Sequence, residues 1–100
     1  MEKWEIDAEY AETAKTDIAG DEKALKKWPK FESAVTDNPF YHPKPKRIEK
    51  LKATAYPDGT WRYKDEPLRV VYYPDKKSRI VYPLAAGTAT DIPYKIRSKK

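Results

Sequence analysis

The chain is predicted to fold as a single α+β domain, with an N-terminal strand and a two-helix hairpin before the antiparallel strands of one sheet. Two observations predict this class. Apolar residues recur at helical spacing over about residues 7–37, and at every second position over about residues 47–86. A length of 100 residues is typical of one domain with a small core. We therefore expect the helices to cover one face of the sheet and the other face to be open for a ligand.

The first strand is predicted at Trp4 and Ile6, which alternate with charged residues. Asp7 and Asp21 are each placed to begin a helix, because a carboxylate at such a position accepts a hydrogen bond from a free N–H of the first turn. An apolar face follows each of them. The residues that mark these faces are Ala11, Ala14 and Ile18 in the first helix, and Leu25, Trp28, Phe31 or Glu32, and Val35 in the second.

Pro29 interrupts the second helical face, since proline lacks a backbone N–H and is unfavourable inside a helix. The pattern leaves open whether the helical hairpin turns at Gly20 or near Pro29. The helical region is predicted to end at residues 37–39. An extended linker that contains three prolines is predicted for residues 39–46.

Four strands are predicted after the linker, each bounded by a turn signal rich in proline, aspartate or glycine. The strand over residues 68–73 is the most apolar and is expected to be central in the sheet. A basic tail is assigned to residues 95–100. The predicted strands are residues 50–55, 61–64, 68–73 and 80–86, with turns at 57–59, 65–67 and 74–78.

Composition excludes several classes of function. The chain has no cysteine, so disulfides and thiolate metal sites are excluded, and no cluster of His, Asp and Glu has metal-ligand spacing. Its 3 glycines are too few for a phosphate-binding loop. No apolar run approaches the ~18 residues of a membrane span, and the N-terminus lacks the order of a signal peptide. We expect a protein of the cytoplasm with no cofactor and no membrane partner.

Charge is divided unevenly along the chain. Residues 1–40 contain 6 Lys and Arg against 10 Asp and Glu, whereas residues 41–100 contain 15 against 6. Such a basic second half is the electrostatic signature of a protein that binds a polyanion, for example a nucleic acid. A solvated basic surface and a surface for an acidic protein partner are the alternatives that composition leaves open.

The cations at Arg62, Lys64 and Arg69 are the strongest functional signal. Alternate residues of a strand share a face, so Arg62 and Lys64 are expected to point the same way. If the two strands pair as a hairpin, Arg69 joins them on that face, depending on the register. Three fixed cations on one sheet face make a site for a phosphate-bearing ligand. The alternative is that they form the solvated side of a sheet.

Six short motifs occur in order over about residues 38–94. They are Asn38-Pro39-Phe40, Ile48-Glu49-Lys50-Leu51-Lys52, Trp61-Arg62-Tyr63-Lys64, Leu68-Arg69-Val70-Val71-Tyr72, Leu84-Ala85-Ala86-Gly87 and Asp91-Ile92-Pro93-Tyr94. In these motifs the chain resembles the RelE/ParE toxin superfamily of bacterial and archaeal toxin–antitoxin systems. The resemblance implies a β-helix-helix-β-β-β order, with residues 1–100 as a single RelE/ParE-like toxin domain.

The resemblance further implies a RelE-like mRNA interferase. Such a toxin cuts mRNA on the ribosome, stops translation and is neutralised by a cognate antitoxin protein. Its reaction needs no metal, because the 2′-hydroxyl of a nucleotide attacks the adjacent phosphate and expels the 5′-oxygen. A base, an acid and cations that stabilise the phosphorane charge are required. The catalytic residues that the resemblance implies are Arg62, Lys64, Arg69 and Tyr94.

Side-chain chemistry suggests a role for each of these residues. Arg69 can hold a phosphate through the two donors of a fixed fork. Lys64 could act as the base once neighbouring cations favour its neutral form, and Arg62 is assigned to charge stabilisation. Tyr94 could stack on a base or orient the scissile phosphate. Further contacts to RNA phosphates are expected from Lys50, Lys52 and Arg79.

One position departs from the family pattern. Many members carry an arginine just after the glycine of the last strand, whereas Gly87 is followed here by Thr88, Ala89 and Thr90. A catalytically weak or inactive member that acts as a protein-binding module is therefore the alternative, with ParE-like inhibition of gyrase as a variant. His42 is the only histidine, lies among prolines and is interpreted as a surface residue.

Overall fold

The structure is a computed structural model that describes residues 3–51 and 56–88. Over these residues the chain is α+β, as the sequence predicts. None of the helices in these two ranges is long and apolar enough to cross a membrane. The elements in chain order are β1 (Glu5–Ile6), α1 (Ala8–Thr16), α2 (Glu22–Asp37), β2 (Ile48–Lys50), β3 (Trp61–Asp65), β4 (Leu68–Asp75) and β5 (Ile80–Gly87).

The strands form one sheet in the order β1-β5-β4-β3-β2. Strands β2 to β5 pair antiparallel with one another and β4 is central, as predicted. The sheet is nevertheless mixed, because β1 pairs in parallel with β5, with Glu5 opposite Ile80. Periodicity predicts where a strand lies but not which strand it pairs with, so this parallel edge is visible only in the structure.

Both predicted helix caps are confirmed. Asp7 accepts a hydrogen bond from a first-turn N–H of α1 at 2.9 Å, and Asp21 accepts one from a first-turn N–H of α2 at 3.1 Å. The helical hairpin turns at the Gly20 end, and α2 continues through Pro29 to its last residue. Pro29 is exposed, so the break in backbone hydrogen bonding lies on the side of α2 away from the core. The buried face of α2 consists of Ala24, Trp28, Phe31 and Val35.

Phe31 lies at the centre of the core, between α2 and the sheet. Its ring centroid is 4.8 Å from that of Trp28, 5.3 Å from that of Tyr63 and 5.7 Å from that of Tyr72. Tilted and edge-to-face ring pairs of this kind add to the stabilisation that burial provides. Phe31, and not Glu32, is therefore the core residue at this turn of the helix. Glu32 instead accepts a hydrogen bond from the indole N–H of Trp28 at 2.7 Å.

Helix α1 packs against the core and also runs along the outer edge of β5. The backbone N–H of Ala86 donates to Asp17 Oδ2 at 3.1 Å, and the ring of Tyr10 lies 5.1 Å from that of Tyr82. Tyr82 follows Val81, which is buried in the core, so its ring lies on the opposite face of the sheet. Helix α1 therefore covers the part of β5 that extends beyond its short pairing with β1. This position departs in part from the prediction that the helices cover one face only.

Strand β2 differs from its predicted limits, β4 continues to Asp75 beyond the predicted 68–73, and β5 differs in which side chains face the core. Strand β2 begins at Ile48 and ends at Lys50, earlier than the predicted 50–55, and residues 52–55 lie outside the described ranges. In β5 the residues of the core are Val81, whose side chain is fully buried, and Ala86. The sequence pattern for this strand instead singles out Ile80, Tyr82 and Leu84.

Candidate functional site

Three predicted site residues share one face of the sheet, here called the cation face: Arg62, Lys64 and Arg69. Lys64 lies directly opposite Arg69 in the β3–β4 pair. Arg62 precedes Lys64 by two residues, so all three side chains point the same way. Tyr63 and Val70 alternate with them and are buried in the core. The cation face is therefore the face turned away from α2.

Arg62 is held in place by the chain segment that leads into β2. Its guanidinium donates to the carbonyl of Lys46 at 3.0 Å and to Glu49 Oε1 at 2.6 Å, and 10% of its side chain is exposed. Lys46 has a φ of 66°, in the left-handed region that is unfavourable for a residue with a Cβ atom. Because Arg62 binds the carbonyl of this strained residue, it stabilises the turn before β2.

Lys64 and Arg69 differ in their ionic contacts. Arg69 forms an ion pair with Glu66, and 12% of its side chain is exposed. The ammonium of Lys64 has no hydrogen-bond or ion-pair partner within residues 3–51 and 56–88. Like charges directly opposite each other in a sheet are unfavourable, and an anion bound between them would offset the repulsion. Arg69 is already paired with Glu66, so a phosphate held between Lys64 and Arg69 would take the place of that carboxylate.

The structure places two of the predicted RNA-contacting residues, Lys50 and Arg79, away from the cation face. Lys50 lies opposite Trp61, whose ring packs on the helix side of the sheet. Arg79 follows the far end of β4, roughly 20 Å from Arg69 at about 3.3 Å per strand residue. Its guanidinium lies 5.1 Å from the ring centroid of Trp4. Two further predicted site residues are outside the described ranges: Lys52 and Tyr94.

A second basic site lies on the helix side, where the linker passes between α2 and β3. It is a groove of about 500 Å³, here called the linker groove. Its walls come from the C-terminal half of α2, from linker residues 41–44 and from the start of the sheet region. The charged and aromatic side chains that line it are Lys3, Lys30, Asp37, Tyr41, His42, Lys44, Arg47 and Tyr63.

Sequence reasoning misses this groove because it treats residues 39–46 only as a connection. A signal was present in the linker, where the aromatic residues Tyr41 and His42 precede a short basic run, and clustered cations are typical of nucleic-acid-binding surfaces. Lys3 and Lys30 carry no such signal. They lie in the acidic part of the chain, and only the fold brings them to the linker.

His42 has a defined hydrogen-bond arrangement in the linker groove. Its Nδ1 accepts the backbone N–H of Lys44 at 3.0 Å, so the neutral ring carries its hydrogen on Nε2. Burial, followed by the charges of Arg47 and Lys44, lowers the pKa of His42 below its ordinary value of 6.5, and Asp65 opposes this shift. At neutral pH the ring is therefore uncharged and offers an Nε2–H donor.

Asp65 is buried beside the linker groove and neutralises one of its cations. An isolated buried carboxylate is costly, and this one has three polar partners. They are Arg47 Nη1 at 2.9 Å, the hydroxyl of Tyr63 at 3.3 Å and Lys27 Nζ at 3.4 Å. Burial raises the pKa of Tyr63, the contact with Arg47 lowers it, and the nearby Asp65 raises it further. Because Arg47 is engaged in this cluster, the lysines are the cations that the groove offers to a ligand.

Because His42 is the only histidine of the chain, its imidazole signals in an NMR titration report on the linker groove alone. We expect the imidazole resonances of His42 to titrate with a midpoint below 6.5. Lys44→Gln should raise this midpoint towards 6.5 without reaching it, because burial is the larger cause. Between the lowered pKa of the folded chain and 6.5, the imidazole of His42 binds more protons in the unfolded chain than in the folded chain. The contribution of His42 to stability is therefore present above pH 6.5 and decreases as the pH falls below it. A midpoint at or above 6.5 would contradict this arrangement.

The linker groove is lined by cations and two tyrosines, which suit a ligand with phosphate groups and planar bases, whereas the cation face offers cations that are partly paired with glutamates. Within the described ranges, no three His, Asp or Glu side chains lie close enough together to hold a metal ion. Comparison of the chain with protein-family models, with curated proteins and with solved structures gave no match in any of the three.

Proposed function

We propose that the chain is a RelE-like toxin of a toxin–antitoxin system, a cytoplasmic endoribonuclease that cuts mRNA on the ribosome and so inhibits translation. The observation that carries the proposal is the Lys64–Arg69 pair, two cations directly opposite each other on the sheet face turned away from α2. The order of elements adds support. The chain begins with a strand and two helices, as the RelE resemblance implies, but four strands follow the helices where the resemblance implies three.

In the proposed reaction, the 2′-hydroxyl oxygen of a ribonucleotide attacks the adjacent phosphorus while a base removes the hydroxyl proton. The bond from phosphorus to the 5′-oxygen breaks, and an acid protonates that oxygen, which leaves a 2′,3′-cyclic phosphate and a 5′-hydroxyl end. Lys64 is the proposed base. Arg69 holds the non-bridging phosphate oxygens through its guanidinium fork. Tyr94 is proposed, from the resemblance alone, to orient the phosphate.

The contacts of the two arginines refine their proposed roles. Arg62 acts as a positioning residue, because its guanidinium binds Glu49 and the carbonyl of Lys46 and so fixes the start of β2 against β3. Arg69 must release Glu66 before both of its donors can bind a phosphate. Glu66 is the solvent-exposed partner of this pair, with 55% of its side chain exposed against 12% for Arg69, so an RNA phosphate has to displace the Glu66 carboxylate to reach the guanidinium.

A second candidate function is favoured by the acidic neighbours of the cation face. Glu49 and Glu66 each pair with an arginine of that face, which reduces the positive charge available to RNA. Thr88 also stands where many RelE-like proteins have a cation. On this alternative the chain is a catalytically inactive protein-binding module, or it inhibits gyrase as ParE-type toxins do. A cognate antitoxin is the proposed partner in either case.

Primer extension on cellular mRNA after expression of the chain tests the proposal. We expect growth arrest and codon-positioned cuts with the parent chain, and neither with the double variant Lys64→Ala/Arg69→Ala. The matched control Lys23→Ala/Lys26→Ala removes two positive charges from exposed positions of α2 and should behave as the parent. Growth arrest with intact mRNA and broken DNA would support gyrase inhibition instead. A double variant as toxic as the parent would show that the cation face is not the site.

A further inference from the structure

The linker groove has no role in the proposed cleavage, yet it combines the features with which proteins hold single-stranded nucleic acids. We propose that it binds one nucleotide unit of single-stranded RNA, with the base stacked on Tyr41 and the phosphates held by three lysines. These are Lys3, Lys30 and Lys44. The choice of RNA as the polymer rests on the proposed function, whereas the preference for a base and a phosphate rests on the groove itself.

Charge is the first argument for a phosphate-bearing ligand. The ammonium groups of the three lysines have no ion-pair partner in the part of the chain that the structure describes. Arg47 is already paired with the buried Asp65 at 2.9 Å. Asp37 is an acidic residue of the wall, so the groove retains an excess of positive charge. Lysines bind phosphates as point charges and therefore suit a flexible backbone.

The exposed ring of Tyr41 is the second argument, and it favours a nucleic acid over an acidic peptide. Tyr41 is 64% exposed and has no ring neighbour among the described residues. Tyr10, another exposed tyrosine, packs edge-to-face on Tyr82 at 5.1 Å. An uncovered aromatic face beside ammonium groups is the arrangement on which bases of single strands stack. A peptide of aspartates and glutamates would offer carboxylates to the lysines but no planar base to this ring.

His42 supplies a neutral hydrogen-bond donor to the same groove. Its Nδ1 is occupied by the backbone N–H of Lys44 at 3.0 Å, so the hydrogen resides on Nε2. An Nε2–H group can donate to a phosphate oxygen or to a carbonyl oxygen of a base. The groove therefore combines a stacking surface, a donor and cations in a volume of about 500 Å³, which is within the usual range of ligand sites.

The linker is fixed at both ends, so the groove exists before a ligand binds. At one end the buried hydroxyl of Tyr72 donates to the carbonyl of Pro39 at 2.7 Å. At the other end the carbonyl of Arg47 accepts the backbone N–H of Lys64 at 2.8 Å. A preformed site avoids the entropic cost of ordering a loop on binding. The second contact also places the groove beside the strand that carries Lys64, so one RNA strand can pass over the edge of β3 from the cation face.

Fluorescence anisotropy with the whole chain tests this inference. The probe is a labelled 2′-O-methyl oligoadenylate of about ten nucleotides, which has no free 2′-hydroxyl and is not cleaved. Tyr41→Ala should weaken binding by about 5- to 100-fold, as expected for the loss of one stacked base. Tyr41→Phe retains an aromatic face and should bind as the parent does.

The lysines are tested by the salt dependence of binding. In the triple variant Lys3→Gln/Lys30→Gln/Lys44→Gln, we expect weaker binding and a smaller slope of log Kd against log salt. The decrease should be about two, because each phosphate contact on a single strand contributes about 0.7 to this slope.

Tyr10→Ala removes an exposed tyrosine outside the groove and should bind the probe as the parent does. Melting curves of all variants show whether the fold is retained.

Parent-like binding by both Tyr41→Ala and the triple lysine variant would overturn the inference. Displacement of the probe by polyglutamate, with Tyr41→Ala unaffected, would also overturn it and would identify the groove as a docking site for an acidic protein. The proposed nuclease function fails in a different assay, namely mRNA cleavage. If the parent binds the probe through the groove but cuts no mRNA, the groove inference stands and the proposed function does not.

Discussion

Replacing Lys64 by alanine is expected to lower the rate of codon-positioned mRNA cleavage by about 10²- to 10⁴-fold, the usual contribution of a general base. The free energy of unfolding should change by no more than about 0.5 kcal/mol. The ammonium of Lys64 has no partner to lose in the described ranges, and Arg69 directly opposite keeps its ion pair with Glu66. The cleavage rate is measured on ribosomes programmed with a defined mRNA, and the unfolding free energy by urea titration.

Two companion variants test whether Lys64 acts as the base and whether Arg62 acts by positioning the strand. Lys64→Arg keeps the positive charge but cannot accept a proton, so it should be as slow as Lys64→Ala if Lys64 is the base. Arg62→Ala should lower cleavage and also lower the free energy of unfolding, by about 1–3 kcal/mol. It removes the hydrogen bonds to Glu49 and to the carbonyl of Lys46, on a side chain that is 10% exposed. Parent-like cleavage by Lys64→Ala would contradict the assignment of the active site to the cation face.

The shared face of the three cations was predictable because it depends on local geometry. Alternation alone places Arg62 and Lys64 on one side of a strand. The tight turn after Asp65 then leaves a hairpin register in which Lys64 meets Arg69. The partners of the cations were not predictable in this way. Glu49 reaches Arg62 across 13 positions of sequence, and this pairing depends on the register of β2, which periodicity does not specify.

The sequence did not predict the linker groove, because its residues are also far apart in the chain and meet only in the fold. Lys3, Lys30 and Lys44 come from three segments, and no local pattern connects them. The backbone N–H of Trp4 donates to the carbonyl of Thr36 at 2.9 Å, which places residue 3 beside the end of α2. This contact joins the N-terminal segment to the helix only once the chain is folded. Sequence patterns therefore predicted the elements and the cation face, whereas sites assembled from distant segments required the structure.

Replacing Phe31 by alanine is expected to lower the free energy of unfolding by about 3–5 kcal/mol, the range usual for a buried phenylalanine. Its side chain is fully buried and contacts the rings of Trp28, Tyr63 and Tyr72, so its removal leaves a cavity walled by three rings. At about 4 °C or more per kcal/mol for a domain of this size, the melting temperature should fall by at least about 12 °C. Thermal and urea unfolding measure both quantities.

Tyr41→Ala is the matched control, because it also replaces an aromatic ring by a methyl group but at a position that is 64% exposed. Its unfolding free energy should lie within about 0.5 kcal/mol of the parent's value. Phe31 lies on the opposite side of the sheet from the cation face, so the Phe31→Ala variant should still cut mRNA well below its melting temperature. Its activity should then fall with the folded fraction as the temperature rises. If Phe31→Ala were as stable as Tyr41→Ala, the ring cluster around residue 31 could not be the centre of the core.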